Sequence, residues 1–160
     1  MHFDAPGAEF TPTVPAVDLF LYDVLENREL RDNDWQLDRT GNGQVRKQRA
    51  PRRVDCSYLV TAWAGDPASE HLLLGQVLTS LLRNPVIAGD VPQGTLAGQL
   101  LPVTILEPTL LSGIGEFWQA MGNKPRAAMN LTVTVAISTS SPVTAPEVRT
   151  PVIRVAQKET

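Results

Sequence analysis

The sequence predicts an α/β (α+β) fold in which two helices pack on a mixed, mainly antiparallel sheet. Residues 54–63 are rich in β-branched, aromatic and small apolar residues, which is typical of a strand buried on both faces. An amphipathic helical pattern follows them, and residues 129–137 alternate between apolar and polar side chains. The predicted order of strand, strand–helix, strand–helix and strand is typical of helices packed on one sheet.

The segment 55–85 contains a strand, a turn and a helix in succession. Asp66 can cap the start of the helix, and Pro67 suits its first position because proline needs no hydrogen-bond acceptor there. The Asn84-Pro85 pair is expected to end the helix. One apolar face follows the i, i+3, i+4, i+7 spacing, and it comprises Leu74, Val77, Leu78, Leu81 and Leu82.

Three further elements are expected outside that segment. Val17–Leu25 is apolar on both alternating faces and is therefore predicted to be a central strand. Leu100–Glu107 is predicted to be a strand, which Pro102 directs toward a sheet edge or a bulge. Ser112–Met121 is predicted to be a short helix that stops at Gly122.

At 160 residues the chain is expected to form one domain with two arms. Residues 1–16 contain three prolines and no periodicity, which predicts an extended N-terminal arm. Residues 17–137 form the α/β domain, with a basic loop at 33–53. Residues 138–160 form a C-terminal arm whose weak strand pattern, 148–155, could add an edge strand to its own sheet or to a partner's.

Charge is spread unevenly along the chain. The net charge is −3, yet five basic residues with no acid among them lie between positions 46 and 53, and the remainder carries nine basic and 17 acidic residues. A basic segment on an acidic body predicts an electrostatic contact with an acidic surface. The polar stretch 27–53 that contains the cluster has the composition of a solvated, flexible loop.

The candidates for catalysis are weak. Cys56 and His71 could form a nucleophile–base pair, but Cys56 alternates with Tyr58 in a buried strand, as an inert core thiol would. The stretch 41–43 contains two glycines but lacks the Gly-Lys-Ser/Thr ending of a phosphate-binding loop. One cysteine excludes an intrachain disulfide and, with only two histidines, no metal cluster of the usual spacing can be assembled. We expect no enzymatic activity, no metal and no cofactor.

The remaining patterns concern partners and location. The basic run has no aromatic residues interleaved along the sequence, and the pI of about 5.3 disfavours a nucleic-acid partner. No stretch approaches the roughly 20 apolar residues of a membrane span, and no signal-peptide pattern opens the chain, which predicts a cytoplasmic location. Trp63 and Trp118 lie on apolar faces and are expected in the core. Trp35 lies in the polar loop and is a candidate interface anchor.

Seven segments carry a family resemblance when they are taken together in order. They are LFLYDVLENRELRD (19–32), YLVTAWAGD (58–66), EHLLLG (70–75), NPV (84–86), EP (107–108), FWQAMG (117–122) and LTVTV (131–135). The set resembles the contractile-injection-system tail-terminator family. That family is also met as the N-terminal domain of the sixteenth protein of Photorhabdus virulence-cassette and antifeeding-prophage particles.

The resemblance implies a phage tail-terminator-like fold and a structural role. The expected assembly is a homo-hexameric ring that caps the inner tube and anchors the last sheath ring, with the inner-tube protein and the sheath protein as partners. The chain would then be cytoplasmic as part of an assembled particle and could leave the cell with it. The alternative is another adaptor or completion protein of the same particle. Members usually begin with an amphipathic helix, where this chain has a proline-rich arm.

The charge pattern and the arms together give a hypothesis for the interface. The basic loop is expected to contact an acidic surface on the adjacent protomer or on the terminal tube or sheath ring. The tail is expected to add a strand to a partner. The candidate interface residues are Trp35, Arg46, Lys47, Arg49, Arg52, Arg53, Val148, Arg149, Val152 and Arg154.

Overall fold

A computed structural model describes residues 1–39, 43–106 and 114–146. The expected fold class, an antiparallel α+β arrangement with two helices, is confirmed. The elements in chain order are β1 (Ala16–Glu26), β2 (Trp35–Arg39), β3 (Gln44–Arg49), β4 (Arg52–Trp63), α1 (Pro67–Arg83), β5 (Val86–Ile87), β6 (Leu101–Ile105), α2 (Ile114–Ala120), β7 (Ala128–Ile137) and β8 (Val143–Pro146), with a 3₁₀ turn at Gly94–Leu96.

The strands form two sheets, and each sheet belongs to its own compact unit. The five-stranded sheet has the order β1-β4-β7-β6-β5, and the three-stranded sheet has the order β2-β3-β8. The first unit comprises residues 1–31 and 53–137. The second unit comprises, among the described residues, 32–39, 43–52 and 138–146, so the basic loop and the start of the C-terminal arm share one unit.

The core of the first unit lies between α1 and the middle of the five-stranded sheet. Val60 on β4 is fully buried, and the alternating apolar residues of β7 are buried beside it, as their pattern predicts. The side chains of α1 that pack against this cluster are Leu74, Val77, Leu78 and Leu81. Leu82 was expected on the same face, and that prediction is wrong because it is 59% exposed. At 100° per residue it lies roughly 90° from the centre of the stripe.

The predicted ends of α1 are confirmed. Asp66 is the N-cap residue: its Oδ1 accepts a hydrogen bond from the Ser69 backbone N–H at 3.0 Å, and its Oδ2 accepts one from the Ser69 hydroxyl at 2.6 Å. These bonds lower the pKa of Asp66 because they favour the carboxylate. Pro67 opens the helix and Asn84 closes it.

The opposite face of this sheet is covered by α2 and by the N-terminal segment. Trp118 is 1% exposed and Trp63 is 6% exposed, so both are core residues as predicted. Phe10 stacks edge-on against Trp63 with ring centroids 4.9 Å apart. The Asn123 amide donates to the carbonyls of Pro6 and Gly7 at 2.7 and 2.8 Å. The segment before β1 is therefore packed against the first unit by rings and backbone hydrogen bonds.

The expectation that Val17–Leu25 forms a central strand is wrong, because β1 is an edge strand. It pairs with β4 on one side. On its other side the described residues contribute only a parallel bridge at Asp18, in which the His2 N–H donates to the Val17 carbonyl at 3.0 Å. The far half of the strand remains uncovered: Leu21, Val24 and Leu25 are 43, 53 and 51% exposed. The continuous apolar run therefore reflects exposed apolar side chains as well as buried ones.

The expectation of a structureless loop between Asn27 and Arg53 is also wrong. Antiparallel pairing joins β2 to β3, and β3 to β8, which lies in the segment predicted to be a C-terminal arm. The turn includes Gly43 at φ +76°, a conformation that glycine adopts without steric cost. The predicted tail strand at 148–155 lies outside the described residues.

Asp18 is a buried carboxylate at the junction of β1 and the N-terminal segment. It is fully buried, and neither oxygen has a hydrogen-bond donor at bonding geometry among the described residues. Burial raises the pKa of Asp18 from its ordinary 3.8 to about 6, the nearby Asp4 carboxylate adds to the rise, and His2 opposes it. Folding therefore favours the protonated acid at this position.

Replacing Asp18 should change how stability depends on pH. Between about pH 4 and pH 6 the folded chain holds a proton that the unfolded chain has released, so the free energy of unfolding falls as the pH rises. The shift corresponds to about 3 kcal/mol at 1.36 kcal/mol per pKa unit. Asp18→Asn cannot ionise, and its stability relative to the native chain should rise by about that amount between pH 4 and pH 8.

Urea unfolding of both chains at the two pH values measures this difference. Asp90→Asn, at an exposed position after β5, controls for the removal of one carboxylate elsewhere. If the difference in unfolding free energy between Asp18→Asn and the native chain were the same at both pH values, the carboxylate would carry no such penalty.

Candidate interaction surface

One face of the three-stranded sheet combines aromatic, aliphatic and cationic side chains. Residues directly opposite each other in an antiparallel pair lie on the same face. The register places Trp35 opposite Arg49, Leu37 opposite Lys47, and Lys47 opposite Val143. We call this surface the tryptophan face; its members are Trp35, Leu37, Arg39, Val45, Lys47, Arg49, Val143 and Ala145.

Trp35 is the centre of this face. The Lys47 ammonium lies 4.3 Å from the centroid of its ring, and the Arg49 guanidinium carbon lies 5.1 Å from it. Both distances fall within cation–π range, worth about 0.5–1 kcal/mol at an exposed site. Both cationic groups of β3 are therefore gathered at the Trp35 ring.

The tryptophan face is exposed although much of it is apolar. Trp35 is 44% exposed, Leu37 is 62% exposed and Val143 is 60% exposed. Single exposed apolar residues are ordinary, whereas an exposed tryptophan beside an exposed leucine on β2, with an exposed valine on β8 across Lys47, is a grouping of the kind found at binding surfaces. The prediction that Trp35 is an interface anchor stays a prediction, and the surroundings of Trp35 fit it.

The two-residue period of a strand splits the predicted basic cluster. Arg46 lies on the opposite face from Lys47 and Arg49, where its register partner is Asp38. Gln48 shares that opposite face, and its side-chain amide donates to the Ser140 carbonyl at 3.1 Å. The five basic residues therefore do not share one surface. Their spacing along the chain did not show this division.

The other predicted interface residues fall in three places. Arg52 and Arg53 open β4 and are half-buried, and they are assigned to different units. The Arg53 carbonyl accepts a hydrogen bond from the Asn27 N–H at 2.9 Å. The four tail residues, Val148, Arg149, Val152 and Arg154, lie outside the described residues.

A groove at the end of β1, which the sequence did not indicate, is the second candidate surface. Its volume is about 550 Å³, and it is lined by Leu25, Glu26, Asn27, Arg28, Glu29 and Asp55. Asp55 is fixed by two hydrogen bonds, from the Asn27 amide at 2.9 Å and the Thr134 hydroxyl at 2.6 Å. The groove thus has an exposed leucine and three carboxylates: Glu26 at the end of β1, Glu29 just after it and Asp55 on β4.

A third cluster was also missed, and it is structural. The Arg126 guanidinium carbon lies 4.0 Å from the centroid of the Trp63 ring, and its Nη1 forms an ion pair with Glu70 in the first turn of α1. Because these residues are far apart in the sequence, no local pattern could have grouped them. The cluster ties the start of α1 to the segment before β7.

The side chains weighed for catalysis show no activation. Burial, and then the charge of Asp55, raise the pKa of the Cys56 thiol, which disfavours the reactive thiolate. His71 is exposed on α1. Across the described ranges, no three His, Cys, Asp or Glu side chains are grouped so that they could hold a metal ion. In the same part of the chain, no helix is both long and apolar enough to cross a membrane.

Comparison with solved structures finds similar folds in two terminators. The chain is similar to the PVC sheath/tube terminator of an extracellular contractile injection system in its extended state, at 29% identity and a TM-score of 0.73, over 99% of this chain and 56% of that one. It is similar to the tube-terminating cap of the anti-feeding prophage at 28% identity and a TM-score of 0.62, over 99% of this chain and 53% of that one.

The chain therefore spans a little over half the length of each of these terminators. No curated protein matches it. The model of one protein family, the Pvc16 N-terminal domain, matches residues 1–152. The match covers nearly the whole sequence, including every strand and helix of the described residues. On this basis the chain belongs to the Pvc16 N-terminal domain family.

Proposed function

We propose that this protein is a structural terminator of a contractile injection particle. In this proposal it forms a homo-hexameric ring that closes the inner tube and anchors the last sheath ring, is assembled in the cytoplasm as part of the particle, and catalyses no reaction. The observation that carries the proposal is the likeness over 99% of the chain to a sheath/tube terminator at 29% identity.

The geometry supports a joint between proteins better than it supports a reaction. The first unit has a core between α1 and the sheet, with an aromatic layer on the other face. The second unit presents an exposed aromatic and cationic surface. A ring subunit needs both a packed core and exposed binding surfaces, because the subunit must keep its structure while it contacts neighbours on several sides.

Deletion of the gene tests the terminator role directly. Particles assembled without the protein should show tubes of uncontrolled length or sheaths lost from the capped end, since nothing would stop subunit addition or hold the last ring. Electron microscopy of particles with and without the protein measures tube length and end structure, and re-expression of the native chain is the control. Normal length and normally closed ends in its absence would contradict the proposal.

The basic segment is proposed to contact acidic surface on neighbouring subunits of the particle. Replacing Arg46, Lys47, Arg49, Arg52 and Arg53 by glutamine should weaken capping about 10-fold at low salt, and the difference from the native chain should shrink at higher salt because the native charge pairs are then screened. Cap occupancy counted at two salt concentrations measures the effect. Glutamine at two exposed basic positions outside the segment, Arg83 and Lys124, is the control. Equal occupancy in mutant and native particles would remove the basic segment from the contact.

The C-terminal tail is proposed to add a strand to a partner. A truncation to test this must end after Pro146, because β8 pairs with β3 and a cut at Ser141 would remove part of the three-stranded sheet. The chain ending at Pro146 should fold normally by circular dichroism and lose docking to particles, because the pairing segment is gone. Docking equal to that of the native chain would exclude a role for residues 147–160.

A further inference from the structure

The two units of this protein carry opposite charge. Among the described residues, the first unit includes six basic and eleven acidic residues, whereas the second unit includes five basic and three acidic residues. The first unit is thus net negative and the second net positive. A second copy of the chain therefore offers each unit a surface of the complementary sign.

The positive unit has an exposed aromatic residue suited to anchor a protein contact. Trp35 is 44% exposed, and the cationic groups of Lys47 and Arg49 lie near its ring. Tryptophan and arginine are the residues most enriched at the energetic centres of protein interfaces. Exposed Leu37 beside them extends the apolar area, so the anchor has an aromatic centre, an aliphatic flank and a cationic rim.

The negative unit presents a receptor of matching chemistry. The groove at the end of β1 contains Leu25, which is 51% exposed, and its lining has the carboxylates of Glu26, Glu29 and Asp55 against one cation, Arg28. Glu26 is ion-paired with Arg31, which leaves Glu29 and Asp55 as the carboxylates for an incoming cation. Its volume of about 550 Å³ lies in the range of pockets that enclose a bound group. Carboxylates beside the apolar surface would meet the two cations as the indole enters.

We propose that the tryptophan face of one copy docks into the β1 groove of the next copy, with Trp35 against Leu25, and Lys47 and Arg49 facing Glu29 and Asp55. The inference deepens the proposed function and rests on it, because it identifies the contact between ring subunits. Made once between two copies, a contact between two different surfaces is heterologous, and its repetition closes a ring when the rotation allows.

A nucleic-acid strand is the rival occupant of the tryptophan face. Stacked bases need an open aromatic face beside cations. Here both cations already lie over the Trp35 ring, and the neighbouring exposed residues are aliphatic, which favours a protein partner. The experiment below includes an oligonucleotide, and its binding to the same residues would overturn the proposal.

Self-association of the full chain, measured by sedimentation velocity, tests the pairing. Trp35→Ala should weaken it about 30-fold, as loss of an interface anchor does. Phe3→Ala is the matched control, because Phe3 is also an exposed aromatic residue, at 67%, and lies on neither surface. Lys47→Glu with Arg49→Glu should weaken association about 10-fold, whereas Arg83→Glu with Lys124→Glu makes the same change in net charge at exposed positions outside both surfaces and should have less than about a 2-fold effect.

Charge exchange tests the partner surface. Glu29→Lys should weaken association, and combining it with Lys47→Glu in one chain should restore it, because the pair is re-formed with its signs reversed. Asp90→Lys with Lys47→Glu is the control and should not restore it. In a mixture of ¹⁵N-labelled and unlabelled native chains, carbodiimide should join Lys47 of one copy to Glu29 of another, giving cross-linked peptides with one labelled partner.

Several outcomes would overturn the pairing. The native chain could stay monomeric at high concentration in low salt, or the charge exchange could fail to restore association. The two double charge reversals could have equal effects. A dT₁₅ oligonucleotide could bind with the same dependence on Trp35 and Lys47. Co-sedimentation with assembled tubes reports separately on the terminator role. Tube binding without the predicted charge exchange would leave that role standing and remove only this contact.

Discussion

Burial of one stripe of α1 against the centre of the five-stranded sheet is the interaction on which the rest of the structure depends. The stripe includes Leu74 and Leu78, and it meets the alternating apolar residues of β7 beside Val60 of β4. Once these three elements are packed, β1 and β6 can only add at their flanks. The other face of the sheet must then be covered separately, and α2 and the N-terminal segment cover it around Trp63 and Trp118.

Much of this arrangement could be predicted from local patterns. The capped helix and the alternation of β7 are short-range signals, in which spacing along the chain determines the buried face. The place of β1 could not be predicted this way. An apolar run normally indicates burial on two faces. In β1 the run instead includes Leu21, Val24 and Leu25, which are exposed at the edge of the sheet. Exposed apolar residues and buried ones are identical in sequence, and only the fold separates them.

The tryptophan face, too, could be predicted only in part from the sequence. Trp35 was identified as an interface candidate because a large aromatic residue stands out in a polar stretch. The alternation Trp35, Leu37, Arg39 against Val45, Lys47, Arg49 was present in the sequence as well, but its polar composition masked it. Strand pairing then set the chemistry: it brought Lys47 and Arg49 to the indole and moved Arg46 to the other face. The β1 groove could not be predicted at all, since Asp55 lies on β4, which is next to β1 in the sheet but 28 residues from Asn27 in the sequence.

The core and the exposed surfaces of this chain are made of different residues, and the two kinds of group on the exposed tryptophan face contribute differently to assembly. The apolar and aromatic groups of the tryptophan face supply contact area that does not depend on salt, whereas Lys47 and Arg49 supply an attraction that salt weakens. Charges at the rim mainly raise the rate of encounter and exclude wrong orientations, and a buried aromatic anchor mainly slows dissociation. Opposite net charges on the two units disfavour contacts that bring the same unit of two copies together. A closed ring further requires that the contact be made head to tail, because an isologous contact between two copies is satisfied at a dimer.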